Sequence, residues 1–276
     1  IWTAFDYIGE ASIGWCGYPL DKRIFPWNHA NCGDLNLSGE RRPQSYLRET
    51  LWSDAPVSHI VVTPPVPSFP LNPNKADWSV WDFPDVVDHW NFPGYEGKKM
   101  TVSVYSNCEQ VELFLNGESL GKQENTADKK NTLVWEVPYA HGILKAVSYN
   151  KGGEVGTATL ESAGKVEKIR LSADRTEIVA DGNDLSYITL ELVDSKGIRN
   201  QLAEELVEFS IAGDATIEGV GNANPMSIES FVANSRKTWR GSNLLVVRSG
   251  KSSGRIIVTA KVKALPVASI TITQKK

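Results

Sequence analysis

Asp6 and Glu10 are the acidic residues of an opening segment, Ile1-Trp2-Thr3-Ala4-Phe5-Asp6-Tyr7-Ile8-Gly9-Glu10, that is otherwise apolar, aromatic or small. Carboxylates set among such neighbours can accept hydrogen bonds from ligand hydroxyls or hold adjacent loops together. Two carboxylates can also work as acid and nucleophile when they stand roughly 5 Å apart across a scissile bond. Their spacing does not choose between these uses. Other reactive residue types form no comparable group. His29, His59, His89 and His141 lack metal-ligand spacing and read as surface or hydrogen-bonding residues. Cys16, Cys32 and Cys108 are too few and scattered for a disulfide framework or zinc site, leaving a Cys16–Cys32 bridge or buried and half-buried thiols. Glu204 and Glu205, with Asp214 and Glu218, lack the fixed ligand spacing of an EF-hand loop. Gly219-Val220-Gly221 has neither the third glycine nor the following helix of a nucleotide-binding turn and reads as a β-turn region.

The elements that must position these residues follow from pattern. Ile1 to Ile8 reads as a parallel strand covered on both faces. Residues 9–39, rich in Gly, Pro, Asn and aromatics, read as a long loop of the kind that carries function. Trp15, Trp27, Asn28 and His29 within it either line a cleft or pack the loop down. Pro43 sits where a helix can begin, and Tyr46, Leu47, Thr50 and Leu51 recur at helical spacing over Gln44–Trp52. Strand, loop and helix in this order form the repeating unit of a (β/α)8 barrel.

From Pro64 to Pro73 the chain offers few backbone donors and favours extended conformations, a semi-rigid linker. Beyond it the text is all-β. Met100–Tyr105 and Val111–Leu115 alternate, and Asn116-Gly117 between apolar runs signals a hairpin. Thr132–Val137 and Ile143–Tyr149 continue the pattern, with a turn at 150–153. A second unit opens near Lys165, where Ser186–Val193 sets Tyr187, Thr189 and Glu191 against Ile188, Leu190 and Leu192. Val207–Ile211, Leu244–Arg248 and Arg255–Val262 complete it. Short strands at this spacing indicate β-sandwiches. Trp78, Trp81 and Trp90 could serve as exposed platforms for polysaccharide, but their proline-rich surroundings favour packing between domains.

The 276 residues, 41% of them hydrophobic, allow roughly two domains or more. A formal charge of −4 with no long basic block gives no electrostatic reason to bind nucleic acid. No apolar run reaches the roughly 18–20 residues of a membrane span, and no leader pattern opens the chain. The start within an apolar run reads as a buried strand cut from something larger, so the missing leader says nothing about export.

Several dispersed motifs carry a resemblance. Trp2-Thr-x-x-Asp6-Tyr7-x-Gly9-Glu10, followed by Gly33-Asp34-Leu-Asn-Leu-Ser-Gly39-Glu-Arg-Arg42-Pro43-Gln-Ser-Tyr46, resembles the end of the catalytic barrel of glycoside hydrolase family 2, the β-galactosidase and β-glucuronidase family. Trp90-Asn-Phe-Pro-Gly-Tyr-Glu-Gly97, Val111-Glu-Leu-Phe-Leu-Asn-Gly117 and Val134-Trp-Glu-Val-Pro-Tyr139 resemble the domain that follows the barrel in many bacterial members. Gly219-x-Gly221, Glu229-Ser-Phe231 and Trp239-Arg-Gly241 resemble the terminal immunoglobulin-like domain often found after it.

The resemblance implies a mainly β chain in four parts. Residues 1–63 would be the barrel end, 64–77 the linker, 78–163 a β-sandwich and 164–276 a terminal immunoglobulin-like β-sandwich. It implies a parent enzyme that hydrolyses terminal β-glycosidic bonds with retention and needs no organic cofactor. The two catalytic glutamates would lie on earlier barrel strands, so Asp6 and Glu10 are not the acid and nucleophile. Trp2, Asp6 and Glu10 are instead the substrate-binding candidates. Trp2 would cover the apolar face of the sugar or pack in the barrel interior; Asp6 and Glu10 would accept sugar hydroxyls or brace loops. Cys32 stands where other members place a sugar- or ion-binding Asn, so no ligand role passes to it. The Asn36-Leu37-Ser38 sequon carries little weight in a bacterial protein. Expected partners are a β-linked glycoside, the upstream barrel and a homo-oligomeric copy; the expected location is periplasmic or secreted. A carbohydrate-binding or adhesion protein without hydrolysis is the alternative, and it requires an exposed aromatic strip.

Overall fold

A computed structural model describes residues 33–68 and 84–276. The chain divides into two compact units, Ile1–Ser162 and Ala163–Lys276.

In the first unit the 3-10 turn Pro43–Ser45 leads into helix α1, Tyr46–Trp52. Proline suits this start because its missing N–H would be unpaired there in any case. Strand β1 (Ser58–Val62) pairs antiparallel with β2 (Lys99–Ser106), which pairs with β5 (Thr132–Pro138). Strands β3 (Gln110–Leu115), β4 (Glu118–Glu124), β6 (Ile143–Asn150) and β7 (Gly153–Glu161) form the second sheet, in the order β4-β3-β6-β7. Between the sheets Val102, Val104, Leu133, Leu113 and Leu144 are completely buried. Alternation places one residue in two on this inner face, and burial of apolar area at about 25 cal/mol per Å² drives the closure. Asn116 and Gly117 take φ of 51° and 89°, the left-handed pair that a tight hairpin between β3 and β4 requires.

β1 was grouped by sequence with residues 1–63, but its backbone is hydrogen-bonded into the first sandwich. The run reads equally well as either neighbour's strand, and only pairing with β2 assigns it. Its inward residues Ile60 and Val62 join the sandwich core, while Val61, with Tyr105 and Val86, packs under Tyr46 and Leu47 of α1. Two-sided burial explains the unbroken apolar run.

The second unit stacks two sheets. Strands β12 (Ala215–Gly221), β14 (Ser242–Ser249), β10 (Leu185–Val193) and β8 (Lys168–Ala173) form one. The other runs β13 (Ser235–Lys237), β11 (Leu206–Ala212), β15 (Gly254–Val262), β16 (Ala268–Lys275) and β9 (Glu177–Val179), with β16 and β9 parallel. Ile188, Leu190 and Leu192 face inward on β10, and Tyr187 outward at 40% exposure, matching the expected alternation. Gly219 and Gly221 belong to β12, with a register shift between Ile217 and Gly219, and not to a turn. Glycine weakens the strand signal but fits a bulge.

Candidate functional site

The residues assigned to substrate from sequence, Trp2, Asp6 and Glu10, lie outside the described residues, as do Trp15, Cys16, Trp27, Asn28, His29, Cys32, Trp78 and Trp81. The described portion of the motif region is the loop and helix 33–52. Its polar groups are largely bound to one another. Asn36 Oδ1 accepts the backbone N–H groups of Ser38 (2.9 Å) and Glu40 (3.0 Å), and its amide donates to Glu40 (3.1 Å). An Asx turn of this kind supplies locally the bonds that a loop would otherwise seek from water. Gly39 closes it with φ of 78°. Arg48 reaches back to Asp34 (2.8 Å), and Arg41 pairs with Glu49 (2.6 Å). The sequon asparagine therefore holds its own loop.

Arg41, Tyr46 and His59 form a stack. The Arg41 guanidinium carbon lies 3.9 Å from the Tyr46 ring centroid, and the His59 ring lies 3.5 Å from it at 14°. His59 and Val61 share the face of β1 that α1 covers, which places the imidazole against the helix. Burial lowers the His59 pKa from 6.5 to about 4, aided by Arg41 and opposed by the Asp88 and Glu49 carboxylates. The imidazole is consequently neutral near pH 7, with Nε2 buried and unbonded. Burial likewise pushes the Tyr105 phenol up to about 12. Sequence reasoning read His59 as a surface or hydrogen-bonding residue. Only its parity with Val61 on a strand could have signalled the packed face.

Trp90 is fully buried and not a platform, and it belongs to the core of the first sandwich. Its rings meet Phe92 and Tyr139 edge-on at 5.9 and 4.9 Å, and Nε1 donates to the Ala140 carbonyl (2.8 Å). Cys108 is a buried free thiol. Asp214 accepts the backbone N–H groups of Lys251 (3.0 Å) and Ser252 (2.8 Å), while Glu218 pairs with Arg248 (2.7 Å). Among the described residues no group of three or more His, Cys, Asp or Glu is placed to hold a metal ion. No described helix is long and apolar enough to cross a membrane. The arrangement over 33–62 can position a loop, and Asp34, Glu40, Arg41, Arg48 and Glu49 are engaged in that task.

Comparison with known proteins gives the wider frame. Residues 169–271 match the model of glycoside hydrolase family 2 C-terminal domain 5, and residues 97–156 match a domain of unknown function, DUF4982. The β-galactosidase BoGH2A of Bacteroides ovatus is 31% identical over all of this chain, which spans 28% of that protein. A β-glucuronidase of Formosa agariphila is 30% identical over 72% of this chain and 20% of its own length. A crystal structure of a glycosyl hydrolase family 2 member from Bacteroides cellulosilyticus superposes with a TM-score of 0.96 at 99% identity, covering 100% of this chain and 36% of that one. The chain therefore spans about a third or less of the length of the proteins it matches, and it belongs to glycoside hydrolase family 2 as a C-terminal segment of the family's longer polypeptide.

Proposed function

We propose that this chain is the C-terminal portion of a retaining, β-galactosidase-like glycoside hydrolase acting on terminal β-glycosidic bonds. The observation that carries the reading is the 31% identity to a β-galactosidase across the chain's full length, through the loop, helix and both sandwiches in one order. In this reading the acid and nucleophile lie on barrel strands preceding Ile1. Trp2, Asp6 and Glu10 contribute contacts to the sugar, and the braced loop 33–52 holds that barrel end in place. Galactosides and glucuronides remain the two substrate classes, since relatives named for each are similar to this chain. A periplasmic or secreted location and a homo-oligomeric parent belong to the same proposal.

The test compares this polypeptide with its full-length parent on nitrophenyl β-galactoside and β-glucuronide. The segment alone should be inert and the parent active, because binding contacts cannot replace the two carboxylates in the transition state. Turnover by the segment, abolished by Asp6→Ala or Glu10→Ala, would overturn the reading. In the parent, Trp2→Ala should lower kcat/KM about 30- to 150-fold with an unchanged melting curve if the indole covers the sugar.

A further inference from the structure

The loop between β12 and β13 carries three large apolar side chains within five positions, with Ile228 76%, Phe231 49% and Val232 82% exposed. Single exposed apolar residues are ordinary. This loop differs because it is held rigidly from beneath. Arg236 on β13 is 0% exposed, and it donates to the carbonyls of Val220 (3.2 Å) and Glu229 (3.1 Å) and to the Ser227 hydroxyl (3.0 Å). Its guanidinium also lies 4.2 Å from the Phe231 ring centroid. The Phe231 carbonyl accepts the Val220 N–H (2.8 Å), and the Glu229 carboxylate accepts the Lys237 N–H (3.0 Å). A buried cation bonded to carbonyls and a hydroxyl, rather than to a carboxylate, is costly to desolvate. Here the bonds that offset this cost hold in place a loop whose apolar side chains are exposed.

We propose that residues 228–232 are a docking surface for an apolar patch on the part of the longer polypeptide that this chain does not include. Chemistry and size select this occupant. Ile228 and Val232 are branched aliphatic side chains with no flat face for stacking on a sugar ring. Three side chains offer on the order of a few hundred Å², well below the roughly 1,000 Å² that a stable contact between separate molecules requires. Within one polypeptide a small patch suffices, because the tether raises the effective concentration to about the millimolar range. This chain spans 36% of the near-identical Bacteroides cellulosilyticus chain, so most of that polypeptide lies elsewhere. The inference rests on membership of that longer chain and not on the hydrolytic reading.

Hydroxyl-radical footprinting tests it, with this polypeptide and the full-length protein compared across a range of concentrations, with and without a β-linked oligosaccharide. Oxidation of Ile228, Phe231 and Val232 should be several-fold slower in the full-length protein, at every concentration and regardless of sugar. Introducing Ile228→Asp and Val232→Asp into the full-length protein should restore the Phe231 rate of the segment without altering its circular dichroism. Equal rates in the two proteins would overturn the proposal, as would Phe231 protection that survives the double substitution. Protection confined to high concentration would assign the surface to a second copy, and protection confined to added sugar would assign it to a glycan; either result overturns the proposal. Hydrolysis assayed in the same samples tests the functional reading separately.

Discussion

Among the described residues, Trp90 is the largest fully buried side chain of the first sandwich, and Arg236 holds that place in the second. Both units bury alternating aliphatic residues between two sheets, yet they anchor what lies beyond the strands by opposite chemistry. Trp90, reached from the segment before β2, fills space with Phe92 and Tyr139 and needs a single acceptor for its indole N–H. Arg236 supplies donors to the carbonyls of Val220 and Glu229 and to the Ser227 hydroxyl, and so holds the loop between β12 and β13. The difference teaches that one sandwich is tied to its flanking chain by contact area, which acts wherever the shape fits. The other is tied by directional bonds, which fix one loop conformation.

Trp90→Ala should break the first arrangement most severely, lowering the stability of that unit by about 3–5 kcal/mol through lost transfer and cavity terms. Chemical denaturation measures it, and Trp90→Phe, which keeps a ring, should lose less. A loss below about 1 kcal/mol would put Trp90 outside the core.

Arg236→Ala should cost the second unit about 3 kcal/mol, because buried carbonyls lose charged donors. Arg236→Met should recover part of this, because its side chain fills space that alanine leaves empty. The comparison predicts where the damage appears: amide exchange should quicken through 227–231 before it does in β10 or β14. Uniform acceleration across the sandwich would show that Arg236 acts through packing, as Trp90 does.

Acid should separate the units further, since all four histidines fall before residue 163. His59 has a folded pKa of about 4 against 6.5 when unfolded. Below 6.5 the unfolded chain takes up a proton that the folded chain refuses until about 4. The His59 contribution is thus fully present above 6.5 and lost as pH falls toward 4. The shift corresponds to about 3 kcal/mol at most, and relaxation of the imidazolium toward Asp88 and Glu49 reduces this to about 2. Urea midpoints at pH 7.5 and 4.5 should show the loss in the first unit, and His59→Phe, which keeps the stack on Tyr46, should abolish it. An equal acid loss in the His59→Phe protein would assign the sensitivity to carboxylates.

The smallest effect sharpens the view of turns. Gly117 has φ of 89° and open space around its Cα, so Gly117→Ala adds backbone strain without a clash and should cost about 1 kcal/mol by thermal melting.

Met100–Tyr105, Val111–Leu115 and Ser186–Val193 were legible from sequence because a strand's period of two and a turn's need for positive φ are local properties of the residues themselves. The family was legible through resemblance alone, from motifs such as Gly33-Asp34 through Tyr46 and Val111 through Gly117 that occur in the family's order along the chain. The substrate candidates Trp2, Asp6 and Glu10 were legible only through their motif, and they fall outside the described residues. Tertiary structure alone decided that Ser58–Val62 pairs with β2, that Trp90 faces inward, that His59 stacks on Tyr46 and that Arg236 is buried beneath its loop. Each of these depends on what covers a face, and the covering residue comes from another part of the chain that no local pattern specifies.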